Sequence, residues 1–261
     1  PIYDMLKLFE RMNPPEMPDP ANPREKSAEP AVAPAPTGLM TKSTPLMAGG
    51  FGENALNFLR TKLKPLNLLP YSVGDPPSGI AYGELEPGSA VGVQLVRGDV
   101  NLGALGTVTY VDGDKILAFG HPFLKRGQTN YLMANAYIFT TIRGVESSFK
   151  VGVTGDVIGT VSQDRGAGVA GEMNRYPGIV PLLMNIQDAD ARLTKNMQVQ
   201  IVQDEEIAPI LATASLMNSI DKSIDRSGSG TARITFEIAA RGMPGETYRR
   251  ENMFYSPENV S

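Results

Sequence analysis

From Ala81 to Val202 the chain is a succession of short apolar runs cut by glycine and turn residues at frequent intervals. That density of breaks suits β-structure with tight corners, of the kind small barrels require. The clearest unit is Gly106-Thr-Val-Thr-Tyr-Val-Asp-Gly-Asp-Lys-Ile-Leu-Ala-Phe-Gly-His-Pro-Phe123. Thr107 to Val111 is rich in β-branched and aromatic residues, and Asp112-Gly113 is a strong hairpin signal. Lys115 to Phe119 runs back, and Gly120 frees the backbone just before His121, the only histidine of the chain. A neutral imidazole accepts a hydroxyl proton near pH 7, so His121 is the candidate general base. The plainer alternative is a histidine that caps a hairpin and bonds a carbonyl.

Elsewhere the pattern is mixed. Thr44-Pro-Leu-Met-Ala reads as a short strand ended by Gly49-Gly50, and Glu53 to Leu63 as a helix with Leu56, Phe58, Leu59 and Leu63 on its apolar side. Glu205 to Ile224 reads as a second helix, with Ile207, Ile210, Leu211, Ala214, Met217, Ile220 and Ile224 on one face. Acidic residues 204–206 suit its N-terminus, and Pro209 falls in its first turn. Ala232, Ile234, Phe236 and Ile238 alternate strictly, which predicts a half-buried strand with one wet face. At the other end, Ile2, Met5, Leu6, Phe9 and Met12 recur at helical spacing, so residues 1–12 read as a short amphipathic helix. Residues 13–37 hold 8 of the 21 prolines and read as an extended Pro/Ala-rich linker. The compact β domain is therefore expected over 38–261. The chain begins at Pro1, which reads as a fragment or a processed product. The fold class expected is mainly β with two or three helices.

Composition narrows the chemistry. A net charge of -4 argues against nucleic acid as the main partner, and no apolar run approaches the ~20 residues that cross a bilayer. Zero cysteines exclude disulfides and thiol chemistry, and with one histidine they leave no recognisable metal or cofactor site.

The block Leu105-Gly-Thr-Val-Thr-Tyr with Ala118-Phe-Gly-His-Pro resembles the start of the SpoIVB-type peptidase domain, peptidase family S55. The block Gly155-Asp-Val-Ile-Gly-Thr-Val-Ser-Gln-Asp-Arg-Gly-Ala-Gly-Val-Ala-Gly171 resembles the glycine-rich strand pair that follows it in that family. The similarity covers about residues 40–255. It implies a trypsin-like double β-barrel with the active site between the barrels, a serine peptidase acting on a protein or peptide substrate, and an exported, cell-envelope location. The matching alternative is a non-catalytic descendant of the fold, used as a binding or assembly module with an envelope protein partner.

A trypsin-like site needs a base, a serine, an orienting acid and oxyanion amides. His121 fills the first role. Ser229, in Gly228-Ser229-Gly230, follows it in the expected order; its plainer reading is a helix-to-strand loop. Ser89, in Glu86-Pro-Gly-Ser89, reads as nucleophile or as a β-turn residue, and Ser148 as structural. Asp164 is the expected orienting acid, with Asp156 second, and Gly166-Ala-Gly168 reads as an anion-binding nest or a plain turn. The family's serine-bearing element is not found in the chain, which admits a nucleophile from outside it.

Overall fold

The computed structural model describes residues 43–142, 148–224, 228–240 and 247–258; the helix and linker expected over 1–12 and 13–37 lie outside them. The described residues belong to the compact unit Thr41–Ser261. They form strands β1 (Thr44–Gly49), β2 (Leu68–Val73), β3 (Ala90–Gly98), β4 (Asn101–Asp112), β5 (Lys115–Ala118), β6 (Gly127–Ile142) and β7 (Phe149–Arg165). These are followed by β8 (Gly168–Met173), β9 (Ile179–Asp188), β10 (Leu193–Val202), β11 (Gly230–Ile238) and β12 (Tyr248–Ser256). Helix α1 (Glu53–Leu63) joins β1 to β2, and α2 (Ala208–Ser223) follows β10. The fold is mainly β with two α-helices, and no described helix is long and apolar enough to cross a membrane.

Ten strands share one sheet in the order β2-β1-β4-β5-β8-β7-β6-β3-β10-β9, and β3 also pairs with β4. That last pairing closes a cycle. β3-β4-β5 and β6-β7-β8 are two consecutive antiparallel meanders, joined to each other by the β5–β8 and β3–β6 ladders. The hairpin turn predicted at Asp112-Gly113 is present, with Asp112 opposite Lys115 and Gly113 at φ 56°. Parallel β1–β2, with its helical crossover, continues the sheet from β4, and the β9–β10 hairpin continues it from β3. The described pairings contain this one closed ring and do not show the double β-barrel that the family resemblance implies.

Close approach inside the ring depends on missing side chains. Gly159 of β7 lies opposite Met133 of β6 and Met173 of β8, and a Cβ there would overlap the Glu172 carbonyl oxygen and Met133 Cε. Leu46, Leu56, Leu59, Leu95, Ile201 and Leu211 are fully buried in one apolar cluster that takes in strands of the ring, β1, β10 and both helices. Truncating any of these leucines to alanine removes contacts worth about 2–5 kcal/mol.

Two expectations need correction. The second helix begins at Ala208, since residues 205–207 form a turn, and its buried face is Leu211, Ala214, Ser215, Asn218 and Ser219. Of the inward polar side chains, Asn218 and Ser219 are hydrogen-bonded, while the Ser215 hydroxyl has no partner. Asn218 Oδ1 accepts the Gly52 amide at 2.7 Å, and its Nδ2 donates to the Gly50 carbonyl at 3.2 Å, just before α1. The strand over 231–238 is real, but it pairs only with β12, in a separate two-stranded ribbon. Ala232 and Ile234 are half-buried, while Phe236 and Ile238 are 41% and 52% exposed.

Candidate functional site

His121 lies on the β5–β6 connection, residues 119–126, which is the covalent link between the two meanders. Phe119 and Gly120 both take positive φ, 74° and 70°. A left-handed phenylalanine costs about 1–2 kcal/mol, so something must hold it. The Phe119 amide donates to the Thr107 carbonyl at 2.9 Å. Its ring occupies the space over Gly106 where any side chain would stand. This explains the glycine in the Leu105-Gly-Thr sequence: it is the seat of the turn that presents His121.

The imidazole is exposed, with its centroid 5.7 Å from that of Phe119. Nδ1 lies 2.8 Å from the Pro122 carbonyl oxygen. A carbonyl only accepts, so this contact assigns the proton of the neutral ring to Nδ1 and leaves the lone pair on Nε2. That is the tautomer a base working through Nε2 requires. Here the orienting acceptor is a backbone carbonyl of the same loop.

Asp164, the expected orienting acid, is on β7 and fully buried (0% exposed). It sits opposite Gly127, the first residue of β6, which brings its carboxylate under the loop. Oδ1 accepts the Phe123 amide at 2.8 Å; Oδ2 accepts those of Leu124 at 2.6 Å and Arg126 at 3.4 Å. The carboxylate thus fixes the backbone that follows His121. It makes no hydrogen bond to the imidazole.

A second anchor was not visible in the sequence. Arg126 pairs with Glu206, and that hydrogen bond raises the guanidinium pKa further. Phe123 packs edge-on against Tyr131, with ring centroids 6.0 Å apart. The Tyr131 hydroxyl donates to Asp204 Oδ2 at 2.9 Å, while Asp204 Oδ1 accepts the amides of Glu206 and Ile207 in the turn entering α2. Asp204, read from the sequence as a helix-start charge, is that and more.

Burial, then the Asp204 charge and hydrogen bond, raises the Tyr131 pKa above the ordinary 10.0. A raised folded-state pKa contributes stability that is full below the unfolded value and lost as pH rises above it. The melting temperature is therefore expected to fall as pH passes about 10. Tyr131→Phe is expected to be about 1 kcal/mol less stable at neutral pH and to show a shallower alkaline decline. Thermal melts of both proteins between neutral and strongly alkaline pH check this; parallel declines refute it.

Among the described residues no candidate serine is hydrogen-bonded to His121. Ser229 is exposed between α2 and β11, and no hydrogen bond joins it to His121. Ser89 is a turn residue: its hydroxyl accepts the Glu86 amide at 3.0 Å, and its own amide donates to the Glu86 carbonyl at 2.9 Å. Ser148 is exposed just before β7. Asp156 is exposed and, after burial, is the second cause that raises the pKa of Tyr82. Gly166-Ala-Gly168 is the β7–β8 hairpin turn, with Gly168 close against the Ala118 carbonyl and Gly120, at the same end of the ring as His121.

Thr107 and Lys150 are two further polar groups near this end, to which the sequence patterns assigned no site role. Lys150 of β7 donates to Thr107 Oγ1 at 2.5 Å and to the Gly106 carbonyl at 3.2 Å. No family model, curated protein or solved structure matches the chain.

Proposed function

We propose that this chain is a domain of the SpoIVB type, family S55, that serves as a binding or assembly module for a protein partner in the cell envelope and does not itself cleave peptide bonds. The observation that carries this reading is the use made of the two catalytic candidates. Asp164 spends both carboxylate oxygens on the amides of residues 123, 124 and 126, and His121 Nδ1 is turned to its own Pro122 carbonyl. Acid and histidine together build a loop, the plainer of the two roles open to a histidine at a strand end. The closed ring, with both residues at one end, supports the family resemblance as half of a trypsin-like pair of barrels.

One observation favours a second reading. His121 Nε2 is exposed and carries the lone pair of the neutral ring, so a serine from outside the described residues would complete a peptidase site with Pro122 as orienting acceptor. A fluorophosphonate probe separates the two. The binding module gives no labelled serine in the wild type or in His121→Ala. Labelling of the wild type that disappears in His121→Ala establishes the peptidase.

A further inference from the structure

A cavity of about 60 Å³ lies where the ends of β1 and β2 meet β4 and β7. It is remote from His121 along β4: Asn101, in its wall, begins that strand, whereas β5, which leads to His121, pairs with Val108–Asp112 at the other end. The volume is several times what a single water needs. The walls are apolar at Met47, Val73 and Val153 and polar at Asn101 and Thr154. Asp75, at the exposed rim, is the one charged residue among those that line it.

Gln94 of β3 sets the polarity of the wall. It is 1% exposed, and its Nε2 donates to Thr154 Oγ1 at 2.7 Å and to Asn101 Oδ1 at 3.2 Å. Its Oε1 is buried without a partner, so this amide stands in the core for the two bonds of its nitrogen. Gly92 and Gly103 make room for the Thr154 methyl, which a Cβ at either position would meet. The oxygens of Asn101 and Thr154 are thereby both turned to Gln94 as acceptors. Asn101 keeps two N–H donors and Thr154 one O–H, and none of these has an acceptor among the described residues.

We propose that this cavity binds a terminal carboxamide, carried either by a free small amide or by an asparagine or glutamine side chain of a peptide. The ligand carbonyl accepts from Asn101 Nδ2 and from the Thr154 hydroxyl, its NH2 faces Asp75, and its alkyl stem lies among Met47, Val73 and Val153. A carboxylate offers the acceptors but meets Asp75 with like charge and finds no cation in the lining. An ammonium suits Asp75 but sets donors against donors at Asn101 and Thr154. A carboxamide is matched at both ends. This inference stands independently of either role for His121.

Propionamide and propionate, nearly the same in shape, are the probes, and the amide NMR spectrum of the full chain reads their binding. Propionamide is expected to bind in the millimolar range, as so few heavy atoms allow, and to shift the Asn101 side-chain NH2 and the Thr154 amide saturably. Propionate is expected to bind at least about tenfold more weakly, and Asp75→Asn, at an exposed residue, to remove most of that difference. Thr154→Val is expected to weaken propionamide about tenfold while the rest of the spectrum shows the chain still folded. Capped Ala-Gln-Ala, with Ala-Glu-Ala as its control, separates the two sources: tighter binding than propionamide assigns the site to a peptide side chain, weaker binding to a free amide. No saturable shift with propionamide, equal binding of propionate, or unchanged binding in Thr154→Val overturns the proposal.

Discussion

Replacing Asp164 by alanine is expected to lower the melting temperature by about 10 °C. The carboxylate is fully buried and accepts three loop amides; removing it leaves the amides of Phe123 and Leu124 without an acceptor. Each orphaned buried donor costs about 1–3 kcal/mol, and hydrogen bonds to a charged acceptor stand at the upper end. About 4 kcal/mol in total corresponds to roughly 10 °C for a domain of this size. Asp164→Asn keeps one acceptor oxygen but turns an NH2 toward an amide, so it should fall between the two. Thermal melts give the ranking, and hydrogen exchange should place the earliest loss of protection at residues 123–126. An alanine variant that melts within about 2 °C of the wild type would mean that the loop is held elsewhere.

A loss of similar size is expected from Gly159→Val, for a steric reason. The glycine is buried between Met133 on one neighbouring strand and Met173 on the other, both within the closed ring. A valine there meets the backbone carbonyl of Glu172, which cannot move without breaking the β7–β8 ladder. Overpacking costs about 1–3 kcal/mol, and more when backbone is the obstacle. Urea unfolding followed by fluorescence or circular dichroism reads the change in midpoint. A midpoint unchanged from the wild type would show that β7 and β8 can separate locally at no cost, which the closed pairing forbids.

What the sequence disclosed follows from the range of each signal. Glu53 to Leu63 and the Asp112-Gly113 turn depend on residues within a few positions of one another, and both are where periodicity and turn chemistry put them. The ends of β1 are equally local, since Gly50 at φ 77° must close the strand. Ring closure depends on Val91–Gln94 meeting Leu132–Asn135, some forty positions away, and no local pattern encodes it. Alternation over residues 232–238 correctly gave a strand with two unlike faces, but alternation cannot say whether anything covers the apolar one. In α2 the apolar count missed Asn218, whose amide answers backbone groups at residues 50 and 52.

The site divides in the same way. His121 at a strand end was legible because strand, turn and glycine lie side by side. Asp164 was selected by spacing, but its task is set by the register that pairs it with Gly127 and so slides it under the loop. Tyr131 and Arg126 carry no motif; their partners Asp204 and Glu206 come from the segment entering α2, and only the folded chain brings them together.

The two meanders touch through two ladders and one covalent crossing, and that crossing is the histidine loop. Phe119 on it is bonded to Thr107 from the first meander, while residues 123–126 are bonded to Asp164 from the second. Neither half holds His121 in place without the other. Presentation of the imidazole therefore depends on both halves of the ring at once, and a change that frees either anchor releases the loop from that side.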